Sequence, residues 1–216
     1  MRLDPDGAQH FPAAFGPAEA AALAAPLSLP RGRPGARLGA VSGLAGVLAP
    51  ADAIAAGFLG PAARPVGARL FDKSPARNWA LGWHQDRTVA VVERRDVPGF
   101  GQWTVKAGIA HCVPPFGILE RSLTLRIHLD PAGEDNAPLL VAPGSHRLGA
   151  IAEPAIAAAV RRFGARACLA AAGDVWAYAT PILHASARAS APGRRRVLQI
   201  LYSAESLPGG LRWLGV

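Results

Sequence analysis

Leu123-Thr124-Leu125-Arg126-Ile127-His128-Leu129-Asp130 decides the fold class of this chain. Every second residue is aliphatic, and the interleaved Thr124, Arg126, His128 and Asp130 are polar. Successive side chains of a β-strand point to opposite faces, so a period of two marks a strand with one apolar and one polar side. The apolar side belongs against a core. An arginine inside such a strand needs an anionic partner if buried, which directs Arg126 towards a pocket, and His128 shares its parity.

Outward from this strand, β-like runs lie near 67–73, 79–86, 88–93, 103–112, 138–142, 167–171, 174–179 and 196–203, divided by Gly- and Pro-containing turns. Segments 17–25, 50–59 and 153–163 read as short helices, the first two with proline at their starts. Many short strands with few helices predict a mainly β sandwich or barrel with helices packed on its outside. At 216 residues, 50% hydrophobic and only 18% charged, the chain is expected to form one domain over 1–216 around a single substantial core.

Trp83-His84-Gln85-Asp86 carries the chemistry, together with the distant His184 in Pro181-Ile-Leu-His184-Ala-Ser186. Residues i and i+2 of an extended chain share a face, roughly 6.6 Å apart along the backbone. His84 and Asp86 therefore converge while Gln85 faces away. Two imidazoles and one carboxylate occupy one face of an octahedral ferrous ion and leave the opposite face open. Asn78 has the same parity and is expected to point inward. Arg195 offers a permanently charged fork matched to a carboxylate, and its neighbours Arg194 and Arg196 point the other way on an extended chain, as surface charges. Pro143-Gly-Ser-His146 is a turn that His146 fixes, so His146 is not counted as a ligand.

With these motifs in order, the sequence resembles the phytanoyl-CoA dioxygenase family of Fe(II)/2-oxoglutarate-dependent oxygenases. The carrying residues are W-H-Q-D at 83–86, D-N-A-P-L-L-V-A-P-G-S-H at 135–146, G-D-V-W-A-Y at 173–178, H-A-S at 184–186 and R-R-R-V-L at 194–198. Leu3-Asp-Pro-Asp-Gly7 looks like the family's usual opening. The resemblance implies a double-stranded β-helix (jelly roll, cupin-like) whose two sheets bring the 84–86 and 184 segments together at one open end. It implies Fe(II) held by His84, Asp86 and His184, and 2-oxoglutarate gripped by Arg195 with Ser186 as hydroxyl partner and Asn78 nearby. It further implies O2 as oxidant and a hydroxylation that releases succinate and CO2. Halogenating relatives lack the carboxylate that Asp86 supplies. Two positions depart from the family: polar Thr124, Arg126, His128 and Asp130 stand where better-known members carry an aromatic residue, and Asn136-Ala137-Pro138 replaces N-G-P.

Arg126, His128, Lys106 and His111 are the candidate contacts for a small-molecule substrate, for which the +8 net charge favours an anion. The loop between Glu93 and Trp103 is a candidate lid. The arginines are scattered without interleaved aromatics, and Arg31-Gly-Arg33-Pro-Gly-Ala-Arg37 reads as a loop, so no nucleic-acid partner is expected. Neither a leader nor a membrane span is visible, and Cys112 and Cys168 form no framework, which points to a cytoplasmic protein. The competing readings are a catalytically silent jelly-roll binding protein and an oxygenase acting on a nucleic-acid-associated substrate.

Overall fold

The alternation at 123–130 builds a central strand of the largest sheet. The computed structural model describes residues 3, 5–27, 35–39 and 43–216. In chain order its elements are β1 (Ala8–Phe11), α1 (Pro17–Ala24), β2 (Gly35–Leu38), α2 (Ala49–Leu59), β3 (Arg64–Lys73), β4 (Leu81–His84), β5 (Val89–Val91), β6 (Gly101–Lys106), β7 (Ile109–Val113), α3 (Phe116–Glu120), β8 (Leu123–His128), β9 (Leu139–Val141), α4 (Ile156–Phe163), β10 (Arg166–Cys168), β11 (Val175–Ala179), β12 (His184–Ser186) and β13 (Arg195–Ser203). Antiparallel pairing gives a six-stranded sheet ordered β1-β11-β8-β13-β3-β2, a four-stranded sheet β10-β9-β12-β4 and a three-stranded sheet β5-β7-β6.

The six-stranded sheet has two unlike faces. Leu123, Leu125 and Ile127 of β8 join Leu198 and Ile200 of β13 and Leu70 of β3 in a buried apolar layer, which Leu23 of α1 and Ala51 and Ala55 of α2 cover. Each fully buried Leu or Ile contributes about 1.5–3 kcal/mol, so this layer is the main source of stability. Tyr202 ties it to α2 by donating its hydroxyl hydrogen to Asp52 Oδ1 at 2.8 Å. The opposite face is polar: in register across the sheet lie Arg37, Arg69, Gln199, Arg126, Trp176 and His10. Leu139 and Val141 of the four-stranded sheet pack with Trp176, Tyr178 and Ile182 to close part of the space between the layers. This is the double-stranded β-helix with helices outside.

Several sequence expectations are refined. The run 103–112 is a hairpin, β6 and β7, because Ala107 and Gly108 both take positive φ (55° and 79°), the geometry of a two-residue turn between twisted strands. The 153–163 helix begins as a 3-10 turn at Glu153–Ala155 before α4. Of the stretch read as an Arg- and Gly-rich loop, 31–34 lies outside the described residues, as does Asp4 of the opening, whereas Gly35–Leu38 is a strand with Arg37 directly opposite Arg69. Arg196 is more than a surface charge: it pairs with both oxygens of Asp130, each at 2.8 Å. The loop after Glu93 is pinned by Val97 and Phe100, which are buried with Leu207 and Leu211 in a core of their own beneath the three-stranded sheet.

Gly173, in the turn leading into β11, has φ +89°, and a Cβ there would meet the Phe15 carbonyl oxygen at 2.2 Å. Its amide donates to His128 and its carbonyl accepts from Phe15. Gly173→Ala is expected to destabilise the fold by about 2–3 kcal/mol, read as a lowered urea midpoint at constant slope; an unchanged midpoint would refute the close approach.

Candidate active site

His184 of β12 and His84 of β4 are partners in the register of the four-stranded sheet, with ring centroids 4.3 Å apart. One sheet, rather than the meeting of two, therefore joins the distant histidines. Each ring is oriented by its own strand. His84 Nδ1 is 2.8 Å from the Gly82 carbonyl and His184 Nδ1 is 3.0 Å from that of Ile182. A carbonyl only accepts, so both Nδ1 atoms carry hydrogen and both Nε2 atoms keep a free lone pair. Asp86 follows β4, with Oδ2 3.9 Å from His184 Nε2, and one atom from each of His84, Asp86 and His184 lies within 4.8 Å of the others. Two neutral imidazoles and an anionic oxygen are the donor set of a facially bound ferrous ion.

Gln85 turns the other way and its amide is fully used. It donates to the Gly149 and Pro181 carbonyls at 2.9 and 2.7 Å and accepts from the Ile151 amide at 2.9 Å. The backbone between the two upstream donors is thereby fixed. On the open side, Gln199 of β13 donates from Nε2 to Asp86 Oδ2 at 3.1 Å, while its Oε1 accepts from Arg126 at 3.0 Å and from the Tyr178 hydroxyl at 3.3 Å. Burial is the largest influence on Asp86 and works against its charge. His184, Arg69, His84 and the Gln199 hydrogen bond together overcome it and hold the carboxyl below its usual range. Burial likewise pulls His184 down to about 4, so its ring is neutral at neutral pH.

The cleft beside this triad has two lobes that meet at Arg69, Asp86 and Gln199. Lys73, Arg126, Ser186 and Arg195 line the first. Arg195 lies opposite Lys73 in the β13–β3 register, is 1% exposed, and has buried Nε and Nη1 atoms without hydrogen-bond partners. Burial, then repulsion from Arg126, destabilises its cation. Lys73 donates to Ser186 Oγ at 3.0 Å and the Ala187 carbonyl at 2.9 Å, and Ser186 Oγ donates to the Ala137 carbonyl at 3.1 Å. Burial, Arg195 and Arg126 bring Lys73 down to about 8. Four cations, Arg69, Lys73, Arg126 and Arg195, around one acid suit this lobe to a small dianion, and the unpartnered guanidinium atoms of Arg195 are free to bond a carboxylate.

The remaining candidates fall in different places. Arg126 is in the first lobe, with its guanidinium 5.1 Å from the Phe71 ring. His111 lines the second lobe, its Nδ1 2.9 Å from the Ile109 carbonyl. Lys106, on β6, feels Arg37, Arg69 and Asp86. Asn78 turns from the donors to the backbone of Ala189, accepting from its amide at 2.8 Å and donating to its carbonyl at 2.9 Å, so it anchors the loop after β12. His128 is fully buried with both ring nitrogens unpartnered. His146 packs on Gly7, where any Cβ would strike its ring. Lys73, Arg69 and Gln199 were not singled out from sequence. The one signal was a glutamine or a cation at inward parity in an otherwise strand-like run.

Gln199→Leu is expected to keep the fold and weaken divalent-ion affinity by about ten- to a hundredfold in an anaerobic titration; unaltered affinity would show that Asp86 needs no orienting partner. Burial, then Arg126 and Arg195, pushes His128 from 6.5 down to about 3. A lowered folded value means that the neutral ring's contribution is complete above pH 6.5 and is lost as pH falls towards 3. Urea melts across that interval should lose stability steeply for the wild type and less steeply for His128→Leu. Parallel curves would contradict the burial of an unpaired ring.

The phytanoyl-CoA dioxygenase (PhyH) family model matches residues 51–197. No curated protein sequence matches the chain. Among solved structures it is similar to EctD from S. alaskensis with 2-oxoglutarate and 5-hydroxyectoine, at TM-score 0.68 and 22% identity over 99% of this chain and 77% of that one. It is similar to HygX from Streptomyces hygroscopicus with nickel and 2-oxoglutarate bound, at TM-score 0.60 and 15% identity over 93% and 83% of the two chains. It is also similar to the carbocyclase SnoK from nogalamycin biosynthesis, at TM-score 0.65 and 17% identity over 92% and 79%. At these identities the likeness establishes the fold, and the family match covers the strands that carry the triad and Arg195. The chain belongs to the phytanoyl-CoA dioxygenase family of Fe(II)- and 2-oxoglutarate-dependent oxygenases.

Proposed function

We propose that the protein hydroxylates a small molecule, with His84, Asp86 and His184 holding Fe(II) and Arg195 gripping the distal carboxylate of 2-oxoglutarate. The convergence of the three donors beside a buried, unpartnered guanidinium carries this reading. When bound, the ion supplies the oxygen activation that side chains lack, coupling oxidation of a C–H bond to release of succinate and CO2. The chain's own groups bind, orient and exclude water. Ser186, held between Lys73 and the Ala137 carbonyl, lines the same lobe as Arg195. Arg126 adds charge on the same wall and steadies Gln199, which in turn directs Asp86. A full set of donors favours this reading over a silent binding protein. Asp86 occupies the position that halogenating relatives leave for chloride, which favours hydroxylation over halogenation.

The cation-lined cleft supports an anionic small molecule as partner rather than nucleic acid. Among the described residues no helix is long and apolar enough to cross a membrane. Cys112 and Cys168 are buried free thiols, raised by burial to about 11 and about 12, which suits a reducing cytoplasm.

Anaerobic addition of Fe(II) and 2-oxoglutarate should give a weak visible charge-transfer band in the wild type. Asp86→Ala should lose both the band and all turnover while keeping its circular dichroism. Arg195→Gln should keep metal binding but require at least about tenfold more 2-oxoglutarate. No band in the wild type, or full turnover in Asp86→Ala, would overturn the assignment.

A further inference from the structure

We infer that the second lobe seats an oxyanion of the substrate, a carboxylate or phosphate held between Arg37 and Arg69. The inference rests on the oxygenase reading and deepens it by naming the substrate's chemistry. Arg37 and Arg69 are direct partners in the β2–β3 register, and both line this lobe. Like charges opposite one another on neighbouring strands repel, so the pair is unfavourable unless something negative lies between or above it. Among the described residues no carboxylate forms a salt bridge with either one, and Arg37 Nε is buried without a hydrogen-bond partner. Burial first and Arg69 second weaken the Arg37 cation, with Asp86 the opposing influence.

Asp86 is the one acid among the residues lining this lobe. Once its carboxylate is committed to a divalent ion, its charge no longer balances the two guanidinium groups. Arg69 lines both lobes, but Arg37 lines only the second and Arg195 only the first, so a ligand held on Arg195 leaves Arg37 unanswered. A separate anion must supply the missing charge, and planar guanidinium forks match a carboxylate or phosphate in paired hydrogen bonds.

The rest of the lobe describes the remainder of the molecule. Ala90, Leu119, Leu201 and Leu214 make an apolar wall. Thr124 and Thr180, their hydroxyls 3.0 Å apart, and His111, whose Nδ1 faces the Ile109 carbonyl, place a few polar groups among them. The closed part of the lobe has a volume of about 60 Å³, room for an oxyanion group, and the rest of the molecule extends into its open mouth. A compact apolar skeleton with its anion on Arg37 and Arg69 would lie across Asp86, bringing a carbon to the ion. Lys106 extends the positive field over the same region.

The test uses protein loaded with a redox-inert divalent ion and saturating 2-oxoglutarate, so that the first lobe is filled. Dissociation constants are then measured calorimetrically for benzoate, phenyl phosphate and inorganic phosphate, with neutral benzamide as control. At least one anion should bind about tenfold or more tighter than benzamide, and Arg37→Gln and Arg69→Gln should each remove about tenfold of that affinity. Both variants should melt no lower than wild type, because each relieves a repulsion, and Arg37→Gln should bind 2-oxoglutarate as the wild type does. Preference for benzoate over phenyl phosphate assigns a carboxylate; the reverse assigns a phosphate. No preference for any anion, or a preference that survives in the double variant, overturns the proposal. Failure of the wild type to take up 2-oxoglutarate at the loading step strikes the oxygenase reading instead.

Discussion

The register of β12 against β4 and β9 is the constraint on which the site depends. Slipping one strand by one residue turns every side chain to the other face, and here it would exchange His184 for Leu183 or Ala185. The register is fixed from outside the ladder. The Leu183 amide donates to Ser145 Oγ at 2.9 Å, and the Ala142 amide donates to the Leu183 carbonyl at 2.9 Å. Ser145 begins the 3-10 turn Ser145–Leu148, whose preceding residue Gly144 takes φ +82° and donates its amide to the Asp6 carbonyl at 2.8 Å. The Pro-Gly-Ser-His turn, with no atom among the proposed metal donors, thus decides which side chain of β12 meets His84. His146, packed on Gly7, extends the same bracing to the N-terminal segment.

A second constraint follows from the two faces of the six-stranded sheet. Its outer layer is conventionally apolar and buried. The inner face places Lys73, Arg126 and Arg195 out of water with few partners, an arrangement that isolated folding would disfavour. Stability drawn from the helix-covered side offsets that cost. Polar strain of this kind is expected where the partner arrives later, because a receptor already satisfied by its own side chains has nothing left to offer a ligand. The ion pair of Arg196 with Asp130 makes the contrast: one residue after Arg195, on the opposite face, a guanidinium is fully answered.

Legibility in the sequence tracked what is local. His84, Asp86 and the outward Gln85 could be read from period-two parity, and His184, Ser186 and Arg195 from motif resemblance. The inward direction of Arg126 was readable from the strand it interrupts. Asn78 shared the parity of His84, but β4 begins only at Leu81, and parity counted across a segment outside the strand carries no direction. Lys73, Arg69 and Gln199 become significant only through cross-strand register, which a single sequence does not encode. Arg37 was hidden by composition, since an Arg-, Gly- and Pro-rich stretch reads as a loop until its strand partner is known. Ala137 is the converse. It takes φ 52°, the left-handed region that favours the glycine the resemblance leads one to expect, and its carbonyl receives Ser186.

The two lobes of the cleft are linked by one side chain. Gln199 touches both sides: its Oε1 accepts from Arg126 on the first lobe's wall, and its Nε2 donates to Asp86, where the lobes meet. An anion arriving on Arg195 and Arg126 would redistribute the charge that Gln199 reads, and the carboxylate it directs lies beside Arg69. Any preference in Arg126 for ligand over Gln199 would therefore reach Asp86 through a single amide, whose two ends cannot be turned independently. The orientation of Asp86 is thereby tied to what Arg126 contacts, through one amide shared between a cation and an acid.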